Sequence, residues 1–471
     1  MELAFYRCLI SIYFIISIVT HAGWSFQIPK CNFTPSTRIL YLGYWLDSAN
    51  LTLTLPDIKV EKIYFLINKF LSFYHEKIAF PAKELASFLG KMAHSLYTHG
   101  NFVRIVTRSA NHHLGYIVTN YDWDAFLYIT PDMFQELLLC HRYFLSFNGR
   151  PMFLTQRSFE IFDPNTVKFL ISDIDPAHFN LNASTIISDA SNSETYAYIS
   201  GKCSLVSNYI FTPEEQELSS SFRELLAISH GFSKFENFLK TQRNKIVIWI
   251  TDNQCVFSFL NKGSRVPAIQ RILLQIKEQE YNFGILLYVK WMHRESDPIR
   301  LADLGSKLNS SSDEYGIDHD HFLFLQQYFN VIFEIDAFAS HRNRRCVRFI
   351  SKIPQNEAFD IDFFICDLNV QLFFYIHPPT HLIRKVISKI LLYSDFHGVL
   401  IIPAWIAHSF WSCIIDSNYF SWFIQDFVLI NPTYVSFCKN TIFKGQKNFK
   451  TLAVLVNTSI RSRVLLPDCL L

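Results

Sequence analysis

Four acidic residues stand where a chain could place chemistry. They are Asp189 in Ile-Ile-Ser-Asp-Ala-Ser, Glu224 in Phe-Arg-Glu-Leu-Leu-Ala, Asp252 in Ile-Val-Ile-Trp-Ile-Thr-Asp-Asn-Gln and Asp303 in Leu-Ala-Asp-Leu-Gly-Ser-Lys. Asp189 and Asp252 cap apolar runs that read as buried strands. A carboxylate at a strand's end lies at the edge of a sheet, where ligands bind. Several carboxylates in one crevice repel each other unless a cation neutralises them, and an all-oxygen donor set suits Mg²⁺ or Mn²⁺. Each residue also has an ordinary reading: Asp189 and Asp252 as turn formers, Glu224 as a solvated helix charge, Asp303 as an N-cap.

Positioning these residues requires strands and helices in alternation, and residues 183–310 supply them. Ile246–Ile250 is a continuous apolar run, as expected of a strand buried on both faces. Leu286–Val289 predicts a second strand. Between them, Val266–Tyr281 sets Ile269, Ile272, Leu273 and Ile276 on one helical face. Turn signals at Asn148-Gly149 and Asp163-Pro164 mark a boundary before this block, and the polar stretch Asn309–Asp313 marks one after it. Upstream, Ile39–Gly43 and Leu51–Leu55 read as strands. A helix opening at Pro56-Asp57 carries Val60, Ile63, Ile67, Phe70 and Leu71. Another near Pro81 carries Leu85, Phe88, Leu89, Met92 and Leu96. Downstream, Gly398–Ile402 and Leu452–Val456 read as strands and Leu382–Leu392 as a helix. The expected division is 1–150, a linker at 151–182, an α/β block at 183–310 and a second α/β block at 320–471.

The chain has 471 residues, half of them hydrophobic, and a net charge of +2. Global charge therefore announces no nucleic-acid binder, and such a role must rest on local patches. The ten cysteines show no Cys-x-x-Cys spacing, which predicts reduced thiols rather than a disulfide framework or zinc knuckle. Leu9–Val19 after Arg7, followed by Thr20-His21-Ala22, has the form of a secretory signal and is short for a membrane span.

Six short segments in order resemble the type 1 ribonuclease H domain of tyrosine-recombinase (DIRS- and Ngaro-like) retroelements. They are Ser188-Asp189-Ala190-Ser191, Phe222–Ala227, Thr251-Asp252-Asn253-Gln254, Lys262-Gly263-Ser264-Arg265, Trp291-Met292-His293-Arg294-Glu295 and Ala302–Lys307. The flanks agree. Gly23-Trp24 to Pro35-Ser36, Tyr41–Tyr44, Leu55-Pro56 and Lys59 resemble the segment after the palm of such a reverse transcriptase. Lys83–Lys91 and Thr107-Arg108 resemble its thumb and connection, closed by Asn148–Pro151. There is no Tyr-x-Asp-Asp motif, so the resemblance is to a polyprotein fragment beginning after the palm, with no polymerase activity expected. It also makes Leu9–Val19 a core helix of an intracellular protein, in cytoplasm or nucleus, with no membrane partner.

The last block, with Ile335–Ser340, Asn343, His377-Pro378-Pro379-Thr380, Ile402–Trp405 and Phe410-Trp411, resembles the adenine-N6 methyltransferase-like domain that follows in these elements. The motif of active members holds the exocyclic amine of a flipped base with a polar residue and stacks an aromatic on it. His377 and Thr380 stand at those two positions, so methyl transfer is not expected.

The resemblance implies metal-dependent hydrolysis of RNA in RNA–DNA hybrids. Asp189 would bridge two Mg²⁺ (or Mn²⁺) ions, Glu224 and Asp252 would face the leaving-group ion, and Asp303, beginning the last helix, would hold the other. Lys262, Ser264, Arg265 and Arg294 are expected to meet nucleic acid, and the 2′-hydroxyl would mark RNA. Arg342, Arg344, Arg345, Arg348 and Lys352 form a further basic cluster. Departures exist: Asp297-Pro298 with two extra residues precedes Ala302-Asp303, no mobile histidine aligns, and Asn192–Thr195 replaces a glycine turn. The alternative is a catalytically inactive relic that binds nucleic acid.

Overall fold

The computed structural model describes residues 2–50, 52–151, 183–201, 205–242, 246–307, 315–436 and 450–467. The expected linker beyond Pro151 and the polar boundary Asn309–Asp313 lie outside the described residues. The protein is mixed α/β and divides into two compact units, Met1–Asn180 with Ser258–Glu278, and Leu181–Phe257 with Gln279–Leu471.

The first unit begins with helix α1 (Glu2–His21). Strands β1 (Arg38–Tyr41), β2 (Tyr44–Asp47) and β3 (Thr52–Thr54) form an antiparallel meander, and Arg150–Pro151 pairs with β3. Helices α2 (Asp57–Glu76), α3 (Ala82–His94), α4 (Arg108–Asn120) and α5 (Pro131–Tyr143) build the core. The stripes legible in the sequence are the buried faces: Val60, Ile63, Ile67 and Phe70 of α2 meet Leu85, Phe88, Leu89 and Met92 of α3. Lys77, in the left-handed conformation, stops α2.

The run Leu9–Val19 is helical but is not a core helix. No described side chain of α1 is buried, and Ile10, Tyr13 and Phe14 face solvent. Its apolar residues surround the helix, so no single stripe directs it onto a core. Among the described residues no helix is long and apolar enough to cross a membrane.

Residues Ser258–Glu278, expected in the 183–310 block, belong to the first unit. Buried polar groups tie them there. Gln270 Nε2 donates to the Ile105 carbonyl (2.8 Å) and to Glu136 (2.7 Å). Asn101 Nδ2 donates to the Leu260 carbonyl, and Lys277 Nζ to Asn101 Oδ1, both at 3.0 Å. Groups this buried are costly unless paired, and a reading of apolar periodicity does not register them.

In the second unit, β4 (Ser184–Ala190), β5 (Glu194–Ile199), β6 (Val206–Ile210), helix α6 (Ser220–Lys234), β7 (Ile246–Thr251), β8 (Leu286–Trp291) and helix α7 (Asp297–Gly305) surround one mixed sheet. Its order is β8-β7-β4-β5-β6. β7 runs parallel to β8 and β4, while β4, β5 and β6 alternate. Ile246–Ile250 is therefore an interior strand, as its unbroken apolar run predicts.

The same unit holds a second sheet. It comprises β9 (Ile335–Asp336), β10 (Arg348–Ser351), β11 (Asp360–Ile361), β12 (Phe374–Ile376), β13 (His397–Pro403), β14 (Ile424–Ile430) and β15 (Thr451–Asn457), with helix α8 (Ile383–Ile390) between β12 and β13. The order is β11-β10-β9-β12-β13-β15-β14. The first five strands are parallel, and β15 opposes both its neighbours. Strand order reverses at β9, which opens a crevice beyond its carboxyl end. Val386, Ile387 and Ile390 of α8 pack on Ile335, Phe374 and Leu400. The seven described cysteines assigned a state are free thiols.

Candidate metal centre

The sheet register brings the first two carboxylates together. In the parallel pair β4–β7, Ile187 lies beside Ile250. Two residues further along each chain are Asp189 and Asp252, and the two-residue period keeps both on one face. Glu224 arrives from α6. Ser219 caps this helix, its hydroxyl accepting from the Phe222 N–H at 3.3 Å. Glu224 lies on the buried stripe with Leu225, Ile228 and Phe232, so its carboxyl turns toward the sheet. Gly231 allows the close approach, since a Cβ there would meet the Trp249 ring at 2.6 Å. The Trp249 indole N–H in turn donates to Ser188 Oγ at 2.8 Å, fixing the strand beside Asp189.

Asp189, Glu224 and Asp252 each offer an oxygen within 4.8 Å of the others. Asp189 and Glu224 are buried and Asp252 is half-buried. Burial, then the charges of Asp189 and Asp252, pushes the Glu224 pKa well above the ordinary range, and Glu224 hydrogen-bonds the Asp189 carboxyl. Burial also raises Asp189, with Asp252 and Asp303 adding repulsion against the hydrogen bond from Ser306. Asp252 is raised by burial too, with Arg294 opposing. Glu224 Oε2 is buried with no hydrogen-bond partner. Burial and crowding thus work against ionisation of all three carboxyls, and an oxygen without a hydrogen-bond partner lies among them. An oxygen-only set of this kind fits a hard divalent cation, not a thiolate- or imidazole-preferring one.

Asp303 stands outside that group of three. It accepts from Arg294 Nη2 at 2.6 Å and from Lys307 Nζ at 2.6 and 2.8 Å. Burial works against its ionisation, but the hydrogen bonds and charges of Lys307 and Arg294 outweigh it and hold its pKa below the ordinary value. Nor does Asp303 begin the last helix. Pro298 sits in the first turn of α7 and starts it there, so Asp303 lies near its C-terminal end. The helix nonetheless lies against the sheet, because Gly305 leaves no room for a Cβ over the Tyr196 ring. Ser306, just past α7, is fully buried and its hydroxyl reaches Asp189 Oδ2 at 2.6 Å. Sequence reasoning missed Ser306 as a site residue. Its position three after Asp303, on the same helical side, is the available signal.

Of the residues expected to meet nucleic acid, Arg294 is exposed and pairs with Asp303. Lys262 and Arg265 are exposed in the first unit. Ser264 is buried there, its N–H donating to Gln270 Oε1 at 2.9 Å and its hydroxyl accepting from the Val266 N–H at 3.1 Å. In the second basic cluster, Arg344 pairs with Glu357 at 2.8 Å, Arg345 donates to the Ile317 carbonyl, and Arg348 lies over the Phe359 ring. His377 is buried and held neutral, its pKa pushed down to about 4 by burial and then by Arg345.

No protein-family model matches the chain, and no curated protein matches it. Solved structures do show likenesses. One is a foamy viral protease-reverse transcriptase in complex with double-stranded DNA, 14% identical over 59% of this chain and 42% of that one, TM-score 0.24. Another is LC11-RNase H1 in complex with an RNA/DNA hybrid, 11% identical over 27% of this chain and 99% of that one, TM-score 0.22. A third is the foamy viral protease-reverse transcriptase with an RNA/DNA hybrid, 15% identical over 56% of this chain and 30% of that one, TM-score 0.20. The chain spans less than half of either viral structure. At these scores the geometry, not the likeness, carries the functional reading.

Proposed function

We propose that the second unit carries a ribonuclease H of retroelement origin, hydrolysing RNA in RNA–DNA hybrids with Mg²⁺ or Mn²⁺. On this reading residues 1–150 are the remnant of a reverse transcriptase's post-palm region, and 320–471 a methyltransferase-like block without methyl transfer. The observation that supports it is the convergence of Asp189, Glu224 and Asp252 at one end of parallel strands, with an unpartnered buried oxygen among them.

Asp189, Glu224 and Asp252 would hold the cation. Bound there, it would supply Lewis-acid activation of a phosphodiester and of water. The chain's own residues do the positioning. β4 and β7 fix two carboxylates at a set register, and α6 drives the third into the same space. Ser306 orients Asp189 through its hydroxyl. Arg294 and Lys307 hold the Asp303 pKa down beside the group, and the exposed Arg294 guanidinium would be available to a phosphate.

The test is cleavage of a labelled RNA–DNA hybrid by the full chain, with Mg²⁺, with chelator and with Asp189→Asn. The full chain is required because Ser258–Glu278 packs in the first unit. Cutting that needs metal and vanishes in the variant is the expected result. The pairing of Asp303 with two cations favours the second reading, a non-catalytic nucleic-acid binder. Salt-sensitive hybrid binding without cleavage by the folded chain would select it.

A further inference from the structure

A cavity of about 1130 Å³ opens beyond the carboxyl ends of β9, β10 and β12. It lies within the second unit and shares Lys307 with the surroundings of the acidic centre; His377 lines it too. Five cations line it: Arg300 in the first half of α7, Lys307 just beyond that helix, Lys352 after β10, and Arg384 and Lys385 on α8. A single carboxylate, Asp362, faces them. Arg384 and Lys385 are exposed and have no ion-pair partner among the described residues. They also sit in the first turn of α8, where the helix dipole is already positive and no acidic residue offsets it. The wall between the cations is aromatic. Phe338 and Phe364 are half-buried there, and Phe338 packs on Phe363 with ring centroids 4.8 Å apart.

Arg300 already pairs with Asp297 and Lys307 with Asp303, so the uncompensated charge facing the cavity is that of Arg384 and Lys385, two adjacent cations at a positive helix end that an anion would join. A volume above the roughly 300–1,000 Å³ of small-molecule pockets points to a larger ligand than a free phosphate. Cations that track phosphates, with aromatic faces between them for unpaired bases, are how proteins hold single strands without reading sequence. The cavity also adjoins the acidic centre through one helix. α7 carries Asp303 near one end and presents Arg300 and Leu304 to the cavity, while Lys307 both lines the cavity and pairs with Asp303.

We infer that this cavity binds a single-stranded nucleic-acid segment continuing from the hybrid at the acidic centre, so that the substrate is a hybrid with an unpaired extension. The second clause rests on the nuclease reading; binding of the strand does not.

The test measures binding of a short fluorescent oligothymidylate to the full chain by anisotropy across a salt series. Arg384→Ala/Lys385→Ala is expected to weaken binding and to lower the slope of log K against log salt by roughly 1.4, for two lost phosphate contacts. Phe364→Ala is expected to weaken binding about tenfold with the salt slope unchanged, since stacking releases no counterions. Asp189→Asn is expected to bind as the unaltered chain does, so a failed nuclease reading and a failed cavity give different results. Both cavity variants should melt with the unaltered chain's cooperativity. The inference is overturned if the oligonucleotide does not bind, if the double variant binds with an unchanged salt slope, or if thymidine monophosphate binds as tightly as the oligonucleotide.

Discussion

Two buried glutamates, one in each unit, show how differently a fold can treat the same group. Glu136 on α5 is 1% exposed and Glu224 on α6 is 6% exposed, so burial does not separate them. Partners do. Both oxygens of Glu136 accept from the Ser109 N–H at 3.0 Å, and Oε1 also accepts from Ser109 Oγ and Gln270 Nε2. No like charge lies among them. Glu224 instead meets two other carboxyls and leaves Oε2 unpartnered. A carboxyl surrounded by donors is part of the scaffold, whereas one surrounded by carboxyls stores repulsion that a cation can relieve.

The largest expected consequence lies at the second site. Asp189→Asn and Glu224→Gln should each abolish metal-dependent hybrid cleavage. They should also remove the stabilisation that Mg²⁺ or Mn²⁺ gives the unaltered chain, about 2.7 kcal/mol at a hundredfold excess over the dissociation constant and read as a rise in thermal midpoint. A metal-induced shift that survives in both variants would place the cation elsewhere.

Without metal the ranking should invert. Glu136→Ala strands the Ser109 N–H and the Gln270 amide in a buried place and should cost about 2–4 kcal/mol of stability. Glu224→Gln removes a mutually repelling carboxyl and should be neutral or stabilising by about 1 kcal/mol. Denaturant titration in chelator reads both. Equal losses would mean that the two glutamates are alike after all.

The same contrast shows what a sequence reveals. The strands that end in Asp189 and Asp252 were legible because a doubly buried strand writes an unbroken apolar run, as Ile246–Ile250 does. Glu224 was legible only through its motif, though its place on an apolar stripe with Ile228 and Phe232 is a physical signal as well. The partners of Glu136 were not legible. Ser109, Gln270 and the attachment of Ser258–Glu278 to the first unit depend on hydrogen bonds between residues more than a hundred positions apart for Gln270, and these leave no periodicity. The place of Asp303 along its helix was not legible from the Ala-Asp motif, though Pro298 carries the starting signal that puts Asp303 near the helix's C-terminal end. The core assigned to Leu9–Val19 failed for the opposite reason: an apolar run without a polar side gives no direction in which to bury.

A pH series sharpens the comparison from the first unit. Burial, opposed by the donors of Ser109 and Gln270, pushes Glu136 up to about 7 from 4.5. The folded state therefore holds its proton more tightly than the unfolded state does. Stability from this group is fully present below the unfolded value and falls as pH rises from about 4.5 to about 7, by roughly 2–3 kcal/mol. Glu136→Gln should flatten that slope in chelator. A slope unchanged in Glu136→Gln would assign it to other groups, Asp336 first among them, since burial raises it to about 7 as well.

The smallest effect should come from Ser306, which stands between the two cases. Its hydroxyl, fully buried, gives Asp189 Oδ2 a donor, whereas Glu224 Oε2 has none. Ser306→Ala takes away a single hydrogen bond to a carboxyl whose pKa is already raised. The loss of stability should be about 1 kcal/mol, because Asp189 can answer by taking a proton. Cleavage should fall without loss of hybrid affinity, since the serine touches the carboxylate and not the nucleic acid. Ser306→Thr keeps the hydroxyl and should restore part of the rate if the site tolerates the methyl group. If Ser306→Ala instead weakens hybrid binding and leaves turnover intact, the serine serves the packing of α7 on the sheet and has no part in orienting Asp189.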